Sequence, residues 1–600
     1  MQGSSVTGAA PRRSSWLLFA LLALLLSGCA SHADRMTEAT TLMRHGEFAA
    51  AEERAAVALE GERQRLLRLM ETGVLRHLQG DYLGSNQLLD EADYLADELF
   101  TTSTMDLLNR LSTNATRVTY RGMLYERVYI HYYKTMNFLF LAEQAGSRAE
   151  LERYLDAARI EGRRAQLLLD ENLHRTGDYA EAEEEEGRLL NQMMDLYASL
   201  NGEVINPREL VFRDNAFTHY LIGSLYERYG ELDNARISYE RAARTYEQGY
   251  ARQYDLGEAM TAQAWFDVAR ILKTQRDARW QRVAREKLSA EQRRVLDQWN
   301  PRTGSQLLVI QEVDMMSPRG ELNLMMTLQP DTNRLFIRPL TVGTEDQRAY
   351  QLAWFYYLYA DKGLLNVIER IRADDYIGLL TMPHEKTIGV GPLRSTLDQL
   401  GLTEILASTG VRLTVPLFYY YEPPLHASQL TLTPAQGRAQ TQALLDADNL
   451  AGLAMAQHLV DAQSELTQAM AIESLRLALC VQTGMPGSLC ALTAAATASA
   501  DTRLWVTLPN RIRISRQLLA AGDYQLTLRS EAEGFSVEET HAITLNPGQL
   551  HIWRARTFAE NPQAAVPNLV TQARAARLAN ETLVELYEDV EDEKTVDESH

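Results

Sequence analysis

Two glycines set 34 residues apart, Gly46 and Gly80, constrain the first half of this chain more than any other feature. Each opens the same kind of segment. "HGEFAAAEERAAVAL" carries Gly46, Phe48, Ala51, Ala55 and Ala58, and "QGDYLGSNQLLDEAD" carries Gly80, Tyr82, Ser85, Leu89 and Ala92. Gly73 precedes Gly80 by seven residues, as Ala39 precedes Gly46. The same gap separates Gly223 from Gly230 in "GSLYERYGELDNARISYERA", which continues through Tyr226, Ala235, Tyr239 and Ala242. Such spacing suits two antiparallel helices in close contact. Small side chains at Gly223, Ala235 and Ala242 let the backbones approach, and Tyr226 and Tyr239 fill the groove between them. Gly230 ends the first helix, where a left-handed conformation is wanted.

A small-residue pattern with a period of about 34 resembles the tetratricopeptide repeat (TPR). Gly146 to Ala158 and Gly177 to Gly187 are fainter echoes. The resemblance implies a TPR-like helical solenoid over residues 35–300. Such an array contacts itself between neighbours and leaves a concave face free for a peptide or protein. Candidate binding-surface residues are Tyr129 and His131 in "YERVYIHYYKTMNFLFLA", and Arg228 and Arg236 on the best repeat. An aromatic stripe at helical spacing reads first as a packed face, and second as a groove for a glycan or peptide. Glu183 to Glu186 read as a solvated helix face.

Near Asn300, Pro301 and Gly304 the period changes. "SQLLVIQEV", "LNLMMTL" and "RLFIRPL" read as strands. Helices follow in "YQLAWFYYLYA", "LLNVIERI" and "LRSTLDQLGLTEILAS"; strands return with "VRLTVPLFYYY", and "LTQAMAIESLRLALC" is a further helix. In "RIRISR" Ile512 and Ile514 alternate with arginines, and "YQLTLR" and "HIWRARTF" close the set. The expected fold class is therefore α + β and multidomain. A helical solenoid precedes an α/β region over 301–575, in which strands at about 305–340, 411–433 and 510–558 form a β-sandwich-like domain with helical insertions. Residues 576–600 are an acidic tail, expected to be disordered at its end. A net charge of -20 argues against nucleic acid and against electrostatic docking on anionic lipid.

The N-terminus has the layout of a secretory signal. Arg12 and Arg13 precede an apolar core from Trp16 to Leu26, short of the roughly 20 residues that span a bilayer. The core ends Leu26-Ser27-Gly28-Cys29, which resembles the lipobox of bacterial lipoproteins. The resemblance implies a signal peptide at 1–28, cleavage before Cys29, acylation of Cys29, and a short linker over 29–34. With Ala30 after the cysteine, it also implies an outer-membrane anchor and a periplasmic body. Only 3 cysteines occur in the chain. With Cys29 lipidated, Cys480 and Cys490 remain as a pair in an oxidising compartment, and "CVQTGMPGSLC" can turn back through Gly484, Pro486 and Gly487, so a disulfide is expected.

Lipobox, TPR-like helices and "ADTRLWVTLPNRIRISRQLLAAGDYQLTL", in that order, resemble a family of uncharacterised TPR-containing outer-membrane lipoproteins of Gram-negative bacteria. The resemblance implies a role in envelope or peptidoglycan upkeep. Asp501 with Arg503 could clamp a ligand carboxylate, but reads first as a structural pair at the start of the β-domain. Catalytic motifs are lacking. His384-Glu385 has no second histidine four residues after the first; there is no Gly-x-Ser-x-Gly elbow and no Ser-x-x-Lys; and Ile388 to Pro392 reads as a turn. The expectation is no cofactor, no metal and no nucleotide. The primary reading is an adaptor that binds a periplasmic or outer-membrane protein. The alternatives are an envelope enzyme acting on glycan strands and, third, a lipid or small-ligand carrier.

Overall fold

The computed structural model describes residues 32–101, 119–177, 210–360, 385–391, 393–419, 423–532 and 534–559. Helices come first and sheets second. The helical part comprises α1 (His32–Arg44), α2 (Phe48–Ala58), α3 (Arg65–Leu78), α4 (Tyr82–Thr101), α5 (Leu124–Glu143), α6 (Arg148–Thr176), α7 (Ala216–Tyr229), α8 (Leu232–Thr245), α9 (Ala259–Thr274), α10 (Arg279–Lys287) and α11 (Ala290–Gln298). They pack in sequence order. α1 pairs with α2, α3 with α4, α5 with α6, α7 with α8 and α9 with α10, and each pair abuts the next.

The glycines of the helical part play two roles. Gly46, Gly80 and Gly230 sit in the inter-helix turns with φ of 78°, 81° and 86°, a region that penalises any side chain. Gly73 and Gly223 serve close approach instead. A Cβ on Gly73 would lie 2.7 Å from Leu89, and one on Gly223 would lie 2.8 Å from the Tyr239 ring. Ala51, Ala235 and Ala242 are buried, and Tyr226 lies in the same core.

Twelve strands form three four-stranded sheets among the described residues. In the first, β12 (Leu550–Thr557), β1 (Gly304–Val313), β9 (Arg511–Ala520) and β8 (Leu445–Asn449) lie in that order. β12 is parallel to β1, whereas β9 is antiparallel to both β1 and β8. In the second, β11 (Phe535–Leu545), β10 (Gly522–Ala532), β6 (Ala427–Pro434) and β7 (Gln440–Ala443) follow one another. The third runs β4 (Lys386–Gly389), β3 (Arg334–Pro339), β2 (Arg319–Gln329), β5 (Val411–Phe418). Pro416 is tolerated because β5 is an edge strand.

The two-residue alternation of β1 explains the layering. Leu307 and Val309 share a core with Leu430, Leu432, Leu526 and Leu528 of the second sheet. Leu308 and Ile310, on the other face, join Ile512, Ile514, Leu550, Ile552 and the helices in the largest core. The first sheet thus has helices on one face and the second sheet on the other. The third sheet builds its own core with α12 (Glu345–Leu358), α14 (Leu402–Ser408), α15 (Leu450–Gln482) and α16 (Gly487–Thr497).

Three local expectations need correction. The helix expected over 393–408 is two, α13 (Leu393–Gln399) and α14, because Gly401 turns left-handed with φ 69°. The helix expected near 466 begins at Leu450, capped by the Asn449 side chain on the Gly452 N–H. β4, β7 and β8 lie where no strand was expected, and Ile388 and Gly389, read as part of a turn, belong to β4 and pair with β3.

Candidate functional site

The first sheet meets the helices through a seam of buried charge, and residues from both halves of the chain build each cluster. Glu227 at the end of α7 accepts from both terminal nitrogens of Arg270 on α9, at 2.5 and 2.7 Å, and from Arg516 on β9 at 2.6 Å. The Gln306 amide and the Tyr239 hydroxyl add donors at 2.8 and 2.9 Å. Burial works to raise the Glu227 carboxyl, but the two guanidinium groups outweigh it and hold it well below the ordinary range. Glu312 on β1 receives Arg554, Arg556, Tyr132 and Tyr133. Burial opposes its ionisation, yet the two arginines bring it to about 2. Asp448 on β8 has, among the described residues, only neutral side-chain donors: Tyr129 at 2.5 Å, Tyr250 at 2.6 Å and Asn215 at 2.8 Å. Its burial therefore wins, and its carboxyl is raised.

The stretch before β9 is a tether between the halves. Glu71 on α3 accepts the N–H groups of Val506 and Thr507 at 2.8 and 3.0 Å, and Glu126 on α5 accepts that of Trp505 at 3.1 Å. Burial pushes the Glu71 carboxyl up to about 8 despite these bonds. Arg503 grips Asp501 through two contacts of 2.7 and 2.6 Å. That pair is internal and anchors the start of the tether.

These contacts correct the expected free concave face. Tyr129 and His131 are buried, 1% and 3% exposed. Tyr129 serves Asp448, and His131 contacts Glu161 at 2.8 Å. Arg228 donates to the Leu550 carbonyl of β12, and Arg236 is half-buried beside Glu240. The inner side of the helices is covered by the chain's own first sheet, because Ile512, Ile514, Leu550 and Ile552 supply the apolar partner that the aromatic stripe needs. Sequence reasoning missed Glu227, Glu312, Asp448 and Arg516. For Glu312 and Arg516 the one visible signal was charge within an apolar strand pattern; Glu227 lies on a helix and Asp448 in a segment that looks like a turn.

The described surface offers a different feature. α15 and α16 form a hairpin closed by Cys480 and Cys490, with S–S 2.06 Å and Cα–Cα 5.6 Å. Leu477, Ala478, Cys490, Ala491 and Ala494 face the third sheet's core. Gly487 permits contact with Ile405, which a Cβ would meet at 2.5 Å. The outer side carries Leu475, Leu479, Met485, Leu489 and Leu492, between 39% and 54% exposed. They make up five of the fifteen large apolar side chains that the described residues expose. No charged residue occurs between Arg476 and Asp501.

Leu26, Ser27, Gly28 and Cys29 lie outside the described residues, as do Glu183 to Glu186, residues 364–371, His384 and the tail over 576–600. Among the described residues there is no group of three or more His, Cys, Asp or Glu suited to a metal, and no helix long and apolar enough to cross a membrane. No protein-family model, curated protein or solved structure matches this chain.

Proposed function

We propose that this chain is an outer-membrane-anchored periplasmic scaffold of the cell envelope. Its TPR-like helical half braces a sandwich-like pair of sheets, and a protein partner docks on the α15–α16 hairpin. The 34-residue recurrence and the glycine-mediated helix contacts support the TPR-like reading, and the Leu26-Ser27-Gly28-Cys29 sequence supports the anchor. The observation that carries the binding role is the hairpin with its five exposed apolar side chains, four of them in the stretch from Leu477 to Ala500 that holds no charged residue. Contiguous apolar surface of that kind marks interaction sites on soluble bodies, and the disulfide pre-organises it, which lowers the ordering cost of binding. The partner's chemistry follows: an apolar, weakly charged protein surface.

Photo-crosslinkers at Leu479 and Leu489 in cells should capture one recurrent protein, and a crosslinker at exposed Gln440 on β7 should not. Equal capture at Gln440, or no recurrent partner, defeats the scaffold reading. If the purified protein instead releases fragments from peptidoglycan, the alternative of a glycan-cleaving enzyme takes its place. Detergent phase partitioning tests the anchor separately: wild type should enter the detergent phase, and Cys29→Ser should not.

A further inference from the structure

An open sheet edge offers a row of unpaired N–H and C=O groups to any other strand, and soluble proteins blunt such edges with short strands, proline or cover. Most edges here are treated in that way. β4, β7 and β8 are four, four and five residues long. β5 carries Pro416, and at β12 the Arg228 side chain occupies the Leu550 carbonyl. β11 is the exception. It runs for 11 residues without proline, glycine or lysine. β10 holds one side of it along its whole length. On the other side, no backbone hydrogen bond reaches it from the described residues.

The hairpin sets the phase of β11. Ala532 pairs with Phe535 across a two-residue connection, and Gly534 supplies the positive φ, 85°, that such a turn wants. The pair flanking a turn of this length is hydrogen-bonded, and every second pair after it is too. The odd-numbered residues of β11 therefore bond to β10. Ser536, Glu538, Thr540, Ala542 and Thr544 turn their N–H and C=O groups to the open edge, and all are exposed.

This strand is also complementary to itself. Thr540 is its midpoint. Laid antiparallel to a second copy about that residue, Val537 stands opposite Ile543 and Phe535 opposite Leu545. All of these lie on the face turned to the first sheet, as does His541, whose ring meets Trp553 of β12 at 5.2 Å. Glu539 on the same face would blunt the edge alone, but in this register it stands opposite His541 of the second copy. Sliding the copy one step either way sets Glu539 opposite Glu539, or His541 opposite His541, and like charges directly opposite destabilise a ladder. The backbone agrees with the side chains. Thr540 meets Thr540 as a hydrogen-bonded pair, because both turn their polar groups outward.

We propose that β11 is a self-association edge. Two copies of this chain pair their β11 strands antiparallel about Thr540 and join their second sheets into one continuous sheet. The contact is isologous, so each opposed pair off the axis occurs twice. It goes beyond the scaffold reading and does not depend on it, since the partner of that reading docks on the α15–α16 hairpin.

Cysteine trapping on the purified full chain tests the register. In this pairing the two Thr540 Cα atoms stand about 5.5 Å apart, within the span of a disulfide. Thr540→Cys oxidised with copper phenanthroline should give a covalent dimer on a non-reducing gel. Ala542→Cys, whose two copies lie more than about 12 Å apart, should give at least about tenfold less. Thr540→Pro removes an N–H that faces the open edge and leaves the β10 ladder whole. It should abolish the wild-type dimer in light scattering and leave the far-ultraviolet circular dichroism unchanged. No covalent dimer from Thr540→Cys, or as much from Ala542→Cys, would overturn the proposal. So would a dimer that survives Thr540→Pro, or a monomeric wild type, whose edge must then be closed by another protein's strand or by the chain after residue 559. The trapping arm stands by itself if Thr540→Pro does not fold.

Discussion

Removing Glu227 should unlock the two halves of this protein from each other. Its carboxylate is 5% exposed and is shared by Arg270 from the helices and Arg516 from the sheet, whose side chains are 1% and 0% exposed. Asp267 is the second acid of the cluster, 2.9 Å from Arg270 and 4.0 Å from Arg516. Two acids balance two bases, so Glu227→Ala leaves one net buried positive charge. Breaking a buried pair from one side costs about 3–5 kcal/mol. Arg516→Met in the same background should recover part of the loss, since it removes the charge left over. The acid limb has a defined sign. The folded pKa of Glu227 is depressed, so its contribution is fully present above the unfolded value of about 4.3. It is lost as pH falls from there through the lower folded value. Urea unfolding at pH 7, followed by tryptophan fluorescence, measures the cost, and a series down to pH 3 measures the linkage. A loss below about 1 kcal/mol, or no recovery in the double variant, would refute the argument that this cluster is a desolvated, mutually dependent set.

Gly223→Ala should lower stability by roughly 1–3 kcal/mol, because its Cβ would stand 2.8 Å from Tyr239; a thermal melt checks this, and Gly223→Ala combined with Tyr239→Leu should be milder than the sum. Cys480→Ser with Cys490→Ser should cost about 2–3 kcal/mol by the loop-closure argument, read by urea unfolding of both forms, while mass spectrometry after alkylation without reductant should label neither thiol of the wild type. Glu71 titrates in the opposite sense from Glu227. Its folded pKa is raised to about 8, so its share of stability is complete below the unfolded value and fades as pH rises through about 8. Melting temperatures from pH 6 to pH 9 should therefore fall less steeply for Glu71→Gln than for wild type, even if the variant starts lower.

Local rules carried much of the fold. Gly46, Gly80 and Gly230 announce their turns because a left-handed backbone excludes other residues, and Ile512 and Ile514 announce a strand because one face must be apolar. β8 escaped because Asp446, Asp448 and Asn449 look like a turn. They are strand residues only because Tyr129, Tyr250 and Asn215, about 200 or more residues earlier, receive Asp448. The tyrosines around Tyr129 were legible as a helix face, but not what covers it. Helical periodicity reports that a face is apolar and is silent about whether the covering surface belongs to the same chain.

The parallel pairing of β12 with β1 imposes an order on synthesis. Gln306 waits for Leu550, its partner across that ladder, until nearly all of the described chain has been made. The helices, which need only their neighbours, can form as they emerge. Until Arg554 and Arg556 arrive, Glu312, Tyr132 and Tyr133 lack those partners, and the apolar side of the helices lacks part of its cover. A nascent chain of this design carries a large adhesive surface for most of its production, so its hazard is premature association with other chains. A ribosome stalling before residue 550, or a nonsense codon there, should yield an aggregate or a chaperone client rather than a shortened working protein.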